Sequence, residues 1–401
     1  MKFENKVIVW APDDFNALGL MRQLGKPEID LFFLIKGRAG MASKSSHCKD
    51  YIETLTIQDG YDYLLKNFSK EKKKPIIITS GDGISVFIDQ HKIELEKFFI
   101  LSGTREQGVL EKITDKNNMT NLAIELGIRA PKSIFVCKNT EIKDWSYPCL
   151  IKPSHQRPGH YNEFKFKICK NESELKRVLS IVNPASEFIL QEYIPKEKEL
   201  LIYGARLLDE NTIFAGAMIR DRFVDSGSSS HGFFCNRVES ENYFDKDIYN
   251  QIELFLSKVD YTGLFSFEYG LVGTKAYFFE VNMRNDGTSH YFYQAGSNVP
   301  LAYVYSCLGI DYKNIFQEVL SNKWFVDELF DIENVLHFRL SLKQWKHDKE
   351  SATIFKYYDS EDIEPYKYVK KNRLRQMLQD LILMKFRLYV VYILDKLGFK
   401  K

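Results

Sequence analysis

Four things are missing from this 401-residue sequence: a sizeable net charge, a paired-cysteine motif, a long apolar run and a glycine signature after the first strand. Lysine plus arginine number 56 against 54 aspartate plus glutamate, so no overall field favours nucleic acid, and no nucleic-acid partner is expected. The six cysteines (Cys48, Cys137, Cys149, Cys169, Cys235, Cys307) form no CxxC pair. That excludes a zinc ribbon and a disulfide scaffold, and fits a reducing cytoplasm. No 18-residue apolar segment occurs, so no membrane span is expected. The opening residues Lys2 to Trp10 lack the apolar core of a signal peptide and are read as a first strand. No GxGxxG follows that strand, which argues against a dinucleotide fold.

What is present is ordinary globular material, 44% hydrophobic and 27% charged, enough for two or three subdomains. The fold class is α/β (α+β). Apolar strands at Lys6 to Ala11, Asp30 to Ile35 and Pro75 to Ser80 alternate with helices at Asp13 to Leu24, Tyr61 to Phe68 and from about Ile84. Continuous apolar strands between helices predict a parallel layer over about residues 1–110. Ligands gather at the carboxyl ends of such strands, which makes Pro12 to Phe15 and Gly81 to Ser85 candidate substrate loops.

From Glu111 the pattern changes. A helix runs from Asp115 to Leu126, and the strand Tyr147 to Pro153 delivers Lys152 at its end. Strands at Glu163 to Cys169 and Glu187 to Ile194 flank a helix at Glu172 to Val182. Beyond them come strands at Glu199 to Leu208 and Thr212 to Arg222, and Asp225 to Gly232 reads as a small-residue, mobile loop. The chemical centre is Ala276 to Asn285 together with Leu264 to Gly270. Alternation puts Glu280, Asn282 and Arg284 on one face, with Tyr277, Phe279, Val281 and Met283 on the other. If the connection between the two strands, within Leu271 to Lys275, has an odd number of residues, Glu268 joins Glu280 and Asn282, and three hard oxygen donors suit Mg²⁺.

The ordered series Lys116, Ile151-Lys152-Pro153, Gln191-Glu192-Tyr193-Ile194, Glu199, Glu268 and Glu280-Val281-Asn282-Met283-Arg284 resembles the ATP-grasp superfamily over about residues 111–310. The layout is closer to its carbamoyl-phosphate-synthase-like and D-aspartate-ligase-like carboxylate-amine ligases than to its purine-synthesis members. The resemblance implies an N-terminal domain at 1–110, a two-subdomain ATP-grasp fold at 111–320 with its small subdomain at about 130–195, and a C-terminal extension at 321–401 with a basic amphipathic helix. It implies ATP and Mg²⁺, with Mn²⁺ an acceptable substitute. Lys116 and Lys152 would contact the phosphates, Gln191 to Ile194 the adenine, and Glu199 the ribose. Glu268, Glu280 and Asn282 would hold the metal, and Arg284 would brace the transferred phosphoryl group.

The implied reaction activates a carboxylate as an acyl-phosphate and joins it to an amine, with cell-envelope or polysaccharide precursors as candidate substrates. A kinase use of the same fold and a non-catalytic nucleotide-binding protein are the alternatives. The loop expected to cover the phosphates, Ser154 to His160, holds only Gly159 and offers His155, Arg157 and His160 as side-chain donors. The tail from Lys367 carries ten basic residues against Asp380 and Asp395, and Leu374 to Leu397 reads as an apolar helix broken by Lys385 and Arg387. Such a helix fits either the body or second subunit of a homodimer, or the inner face of a membrane as a peripheral contact.

Overall fold

The computed structural model describes every residue except 1–2, 143, 155–163, 165, 184–185 and 376–401. The loop at 155–160 and most of the tail helix therefore lie outside the described residues.

The first sheet is parallel throughout, in the order Tyr51–Thr54, Asp30–Lys36, Lys6–Ala11, Ile76–Thr79, Ile100–Leu101. Its central strands are apolar on both faces because helices cover both, and Val7 to Ala11 and Ile76 to Thr79 are buried without interruption. The edge strand Tyr51–Thr54 is half exposed and has no apolar run, so it escaped the periodicity. Strand order reverses between Lys6–Ala11 and Ile76–Thr79, which opens a crevice at their carboxyl ends.

A second, antiparallel sheet has the order Ser133–Val136, Phe188–Glu192, Cys149–Pro153, Lys167–Cys169. The third is long: Lys275–Asn282, Tyr261–Val272, Lys198–Arg206, Thr212–Phe223, Ser229–Cys235, Lys323–Val326, Ile354–Phe355. Along Lys198–Arg206, Leu200 and Ile202 enter one core while Leu201 and Tyr203 enter the other. The first of these cores includes the helix Asp247–Lys258; the second is shared with the parallel sheet and the helices Phe15–Leu24 and Val299–Cys307. Each fully buried Leu, Ile or Phe adds roughly 1.5–3 kcal/mol to this joint.

One expectation is overturned here. Ser229 to Gly232 are not loop but the start of a strand paired with Thr212–Phe223; only a tight turn around Gly227 separates the two. Gly232 is there for close approach, since a Cβ would meet Ile219 O at 2.2 Å. The segment after 320 adds Lys323–Val326 and Ile354–Phe355 to the long sheet, with helices between and after them. It is fastened to the first helix by Arg22, which donates to Asp362 Oδ2 at 2.9 Å and to the Tyr357 carbonyl at 3.0 Å. The six cysteines are free thiols. Among the described residues no helix is long and apolar enough to cross a membrane.

Candidate functional site

The hairpin Tyr261–Val272 to Lys275–Asn282 closes through Gly273 and Thr274, an even connection that on its own would send Glu268 and Glu280 to opposite faces. A β-bulge supplies the odd residue. Tyr269 pairs with Phe278 and Glu268 with Glu280, so Phe279 is the extra residue. This corrects the expected faces: Ala276, Phe278, Val281 and Met283 enter the core, while Tyr277 and Phe279 lie outside it. Glu268 and Glu280 consequently share one face, directly opposed across the ladder.

From that pair a run of charges spreads in both directions. Arg220, buried on the strand Thr212–Phe223, donates to Glu268 Oε2 at 2.6 Å and lies 2.9 Å from Glu199 Oε2. Glu199 also receives Lys196, whose ammonium sits 5.3 Å from the Phe279 ring centre. Asn282 places its amide nitrogen 3.1 Å from Ser266 Oγ and 3.4 Å from both Glu268 Oε1 and Asp286 Oδ2. Its oxygen accepts from Arg284 Nη2 at 2.9 Å. Arg284 donates in turn to Asp82 at 2.8 Å and Asp286 at 3.3 Å.

Asp82 begins the helix Asp82–Gln90 after the parallel strand Ile76–Thr79, so Arg284 joins the long sheet to the crevice. Asn285 seals the same joint. Its backbone N–H donates to the Thr79 carbonyl, and its carbonyl accepts from Asn16 Nδ2 at 2.9 Å. Tyr203 donates its hydroxyl to Asn285 Oδ1 at 2.7 Å. The loops read as substrate loops, Pro12 to Phe15 and Gly81 to Ser85, thus end beside Arg284.

On the other side lies a pocket lined by Lys116, Asn117, Ser133, Lys152, Gln191 and Phe279. Lys116 opens the helix Lys116–Glu125, capped by Asp115, and its ammonium is 4.0 Å from Glu280. Lys152 donates to Gln191 Oε1 at 3.1 Å from the neighbouring strand. Burial, reinforced by the charge of Lys116, lowers its pKa to about 8 against a weaker opposing pull from Glu280. Gln191 and Glu192 end the strand Phe188–Glu192, and Tyr193 and Ile194 continue towards Glu199. The Glu192 carboxylate accepts from the Lys132 N–H at 3.3 Å and is exposed, so of this stretch the Gln191 side chain faces the pocket and that of Glu192 does not.

The donor set fits a hard divalent cation. Burial raises the pKa of Glu268, Arg220 opposes it, and the charges of Glu280 and Asp286 raise it further. A cation between these carboxylates would relieve that repulsion. Among the described residues no cluster of three His, Cys, Asp or Glu side chains is set to hold a metal by itself. Two glutamates and an amide leave coordination positions for phosphate oxygens and water, as Mg²⁺ prefers.

Two residues at the site went unread in the sequence and a third was misread. Arg220 was signalled only as the first charge after the apolar stretch Ile213 to Ile219. Asp286 follows Arg284 by two residues and is held below the ordinary carboxylate value: burial pushes its pKa up, but Arg284 and the Thr288 hydroxyl and N–H outweigh it. Phe279 was assigned to the wrong face because a bulge has no signature in strict alternation.

No protein-family model matches the chain. It is 24% identical over 254 residues to the D-aspartate ligase of Enterococcus faecium, covering 58% of this chain and 59% of that protein. It is 25% identical over 151 residues to the formate-dependent phosphoribosylglycinamide formyltransferase of Sulfurisphaera tokodaii, covering 36% and 37%. The chain thus spans less than two thirds of the length of these curated relatives. Among solved structures it is similar to N5-carboxyaminoimidazole synthetase from Staphylococcus aureus complexed with ADP, at 14% identity and TM-score 0.64 over 87% of this chain and 88% of that one. An L-amino acid ligase from Bacillus licheniformis matches at 13% identity and TM-score 0.60 over 80% and 78%. The likeness is one of fold, and it bears out the α/β architecture expected from the sequence.

Proposed function

We propose that this chain, which has the ATP-grasp fold, is an ATP-dependent, ADP-forming carboxylate-amine ligase. The observation that carries this reading is the facing pair Glu268 and Glu280 with Asn282 beside them, set between the lysine pocket and the Arg284 crevice. In such a reaction the γ-phosphoryl group passes to a carboxylate oxygen. The lone pair of an amine then attacks the acyl carbon, the C–O bond to phosphate breaks, and the amine loses its proton.

The residues divide this work by charge and position. Lys116 and Lys152 line the pocket and would hold phosphate oxygens, and the backbone of Gln191 to Ile194, which leads away from it, would read a planar base. Glu199 stands ready to accept from sugar hydroxyls. Glu268, Glu280 and Asn282 would hold Mg²⁺, or Mn²⁺, which supplies neutralisation of the phosphate charge. Arg284, fixed from two sides by Asp82 and Asp286, points a preorganised cation at the carboxylate side of the site.

Resemblance to a D-aspartate ligase and an L-amino acid ligase supports a small acid and an amine as substrates, with cell-envelope precursors as the class to try first. A cytoplasmic location and the divisions at residues 110 and 320 belong to the same proposal. Incubation with ATP, Mg²⁺ and pooled amino acids or envelope precursors tests it. ADP formed only when an acid and an amine are both present supports ligation. A phosphorylated alcohol would mean a kinase, and AMP would mean another activation chemistry.

A further inference from the structure

We propose that the turn around Phe338 is a docking surface for an anionic lipid bilayer. The short helix Ile332–Leu336 ends at His337, and the next residue, Phe338, takes φ 58°. Arg339 N–H and Leu340 N–H both fold back on the Asn334 carbonyl, at 2.8 and 3.0 Å. That is the left-handed helix terminus at which glycine is the usual residue, because a side chain strains the backbone there. This sequence has phenylalanine instead, and its side chain is 97% exposed. An aromatic in that backbone conformation that packs on none of the described residues is available to a surface that meets the turn.

The surroundings identify the partner. Leu336 and Leu342 flank the turn and are at least half exposed. From Leu336 to His347 there is no Asp or Glu, while Arg339, Lys343 and Lys346 are all exposed. The acid facing the turn from another element is Asp225, which holds His337 at 3.0 Å and Arg339 at 2.6 Å. Within the next helix, Leu342–Ser351, Asp348 is taken up by Arg222. Lys343 and Lys346 enter no ion pair among the described residues and stay available. Exposed apolar side chains ringed by cations match a bilayer interface, where rings and aliphatic chains enter the acyl boundary and lysines meet anionic headgroups.

The test uses the full chain. Sedimentation with vesicles of phosphatidylcholine alone or mixed with phosphatidylglycerol should show binding only to the mixture, reduced by salt. Phe338→Gly suits the backbone, so melting should occur at the same or a higher temperature while vesicle affinity falls roughly tenfold. Lys343→Glu with Lys346→Glu should remove the preference for phosphatidylglycerol. Phe338→Trp should give a blue-shifted emission on the mixed vesicles alone. The proposal is overturned if Phe338→Gly binds like the parent, if the parent ignores anionic vesicles, or if sedimentation velocity shows that the turn joins two copies of the chain. ATP turnover is unaffected in every arm, so this test stands apart from the catalytic one.

Discussion

Glu268 and Glu280 stand directly opposite one another on neighbouring antiparallel strands, and Phe279, bulged between them and the turn, is what sets them there. Their surroundings differ: Glu268 is tied to the buried Arg220, whereas Glu280 meets only Lys116 at 4.0 Å among the ion pairs described. Replacing each has a different consequence. Glu280→Gln should leave the melting temperature nearly unchanged and lower ATP turnover by roughly a hundredfold or more. Glu268→Ala should lower turnover and also cost about 3 kcal/mol, because it leaves Arg220 short of a partner. Denaturant titration beside an ADP-release assay separates the two. Turnover by Glu280→Gln at the parent rate with the same Mg²⁺ dependence would remove Glu280 from the metal site.

Lys152 makes the nucleotide site pH-sensitive. Its pKa of about 8 means the ammonium is charged below that value and lost above it. Bound phosphates favour the charged form, so nucleotide binding near pH 8.5 should take up protons, seen as a buffer-dependent calorimetric enthalpy. Lys152→Arg should abolish that uptake, and affinity for ATP should fall as pH rises through 8. In the nucleotide-free protein the sign is opposite for folding: the unfolded lysine keeps its proton up to about 10.5, so this group adds stability as pH climbs from about 8 to 10.5. An uptake that persists in Lys152→Arg would assign the titration elsewhere.

Arg284 depends on the crevice for its aim. Asp82 is largely exposed, so Asp82→Asn should change stability by no more than about 0.5 kcal/mol. It should lower kcat roughly tenfold while leaving KM for ATP in place, with partial rescue by Asp82→Glu. A rise in KM for ATP at unchanged kcat would place Arg284 with the nucleotide instead.

The Arg22 and Asp362 pair should govern the attachment of residues 354–375. Both side chains are 1% exposed, and Asp362 also accepts from Ser45 Oγ and Ser46 N–H at 2.8 Å. Arg22→Met strands a buried carboxylate and should cost about 3–5 kcal/mol, with faster hydrogen exchange concentrated in 354–375. Burial works to raise the Asp362 pKa, but the bonds from Arg22, Ser46 and Ser45 bring it below the ordinary value. Its stabilisation is therefore complete above the unfolded carboxylate range, near 3.9, and is lost as pH falls through the folded value.

Much of this was legible in sequence. Apolar runs such as Val7 to Ala11 located the parallel strands, since only strands covered on both faces tolerate them. The ordered lysines and acids named residues that the structure brings near one another, Lys116 to Glu280, Glu268 to Arg220 and Asn282 to Arg284. The failures are local and physical. Strict alternation cannot foresee the bulge at Phe279, and serines and a glycine read as loop at Ser229 to Gly232 although they pair in a strand. Arg220 was hidden because its value comes from two partners, Glu199 and Glu268, that are distant in sequence and adjacent in the sheet.

The central claim is that a carboxylate is activated by phosphoryl transfer before an amine displaces the phosphate. Once the acid is identified, it can be supplied with ¹⁸O in both carboxylate oxygens and turned over with ATP and the amine. One ¹⁸O should appear in each inorganic phosphate released alongside ADP, and hydroxylamine in place of the amine should yield the hydroxamate. Phosphate without label, or AMP in stoichiometric amount, would contradict the account.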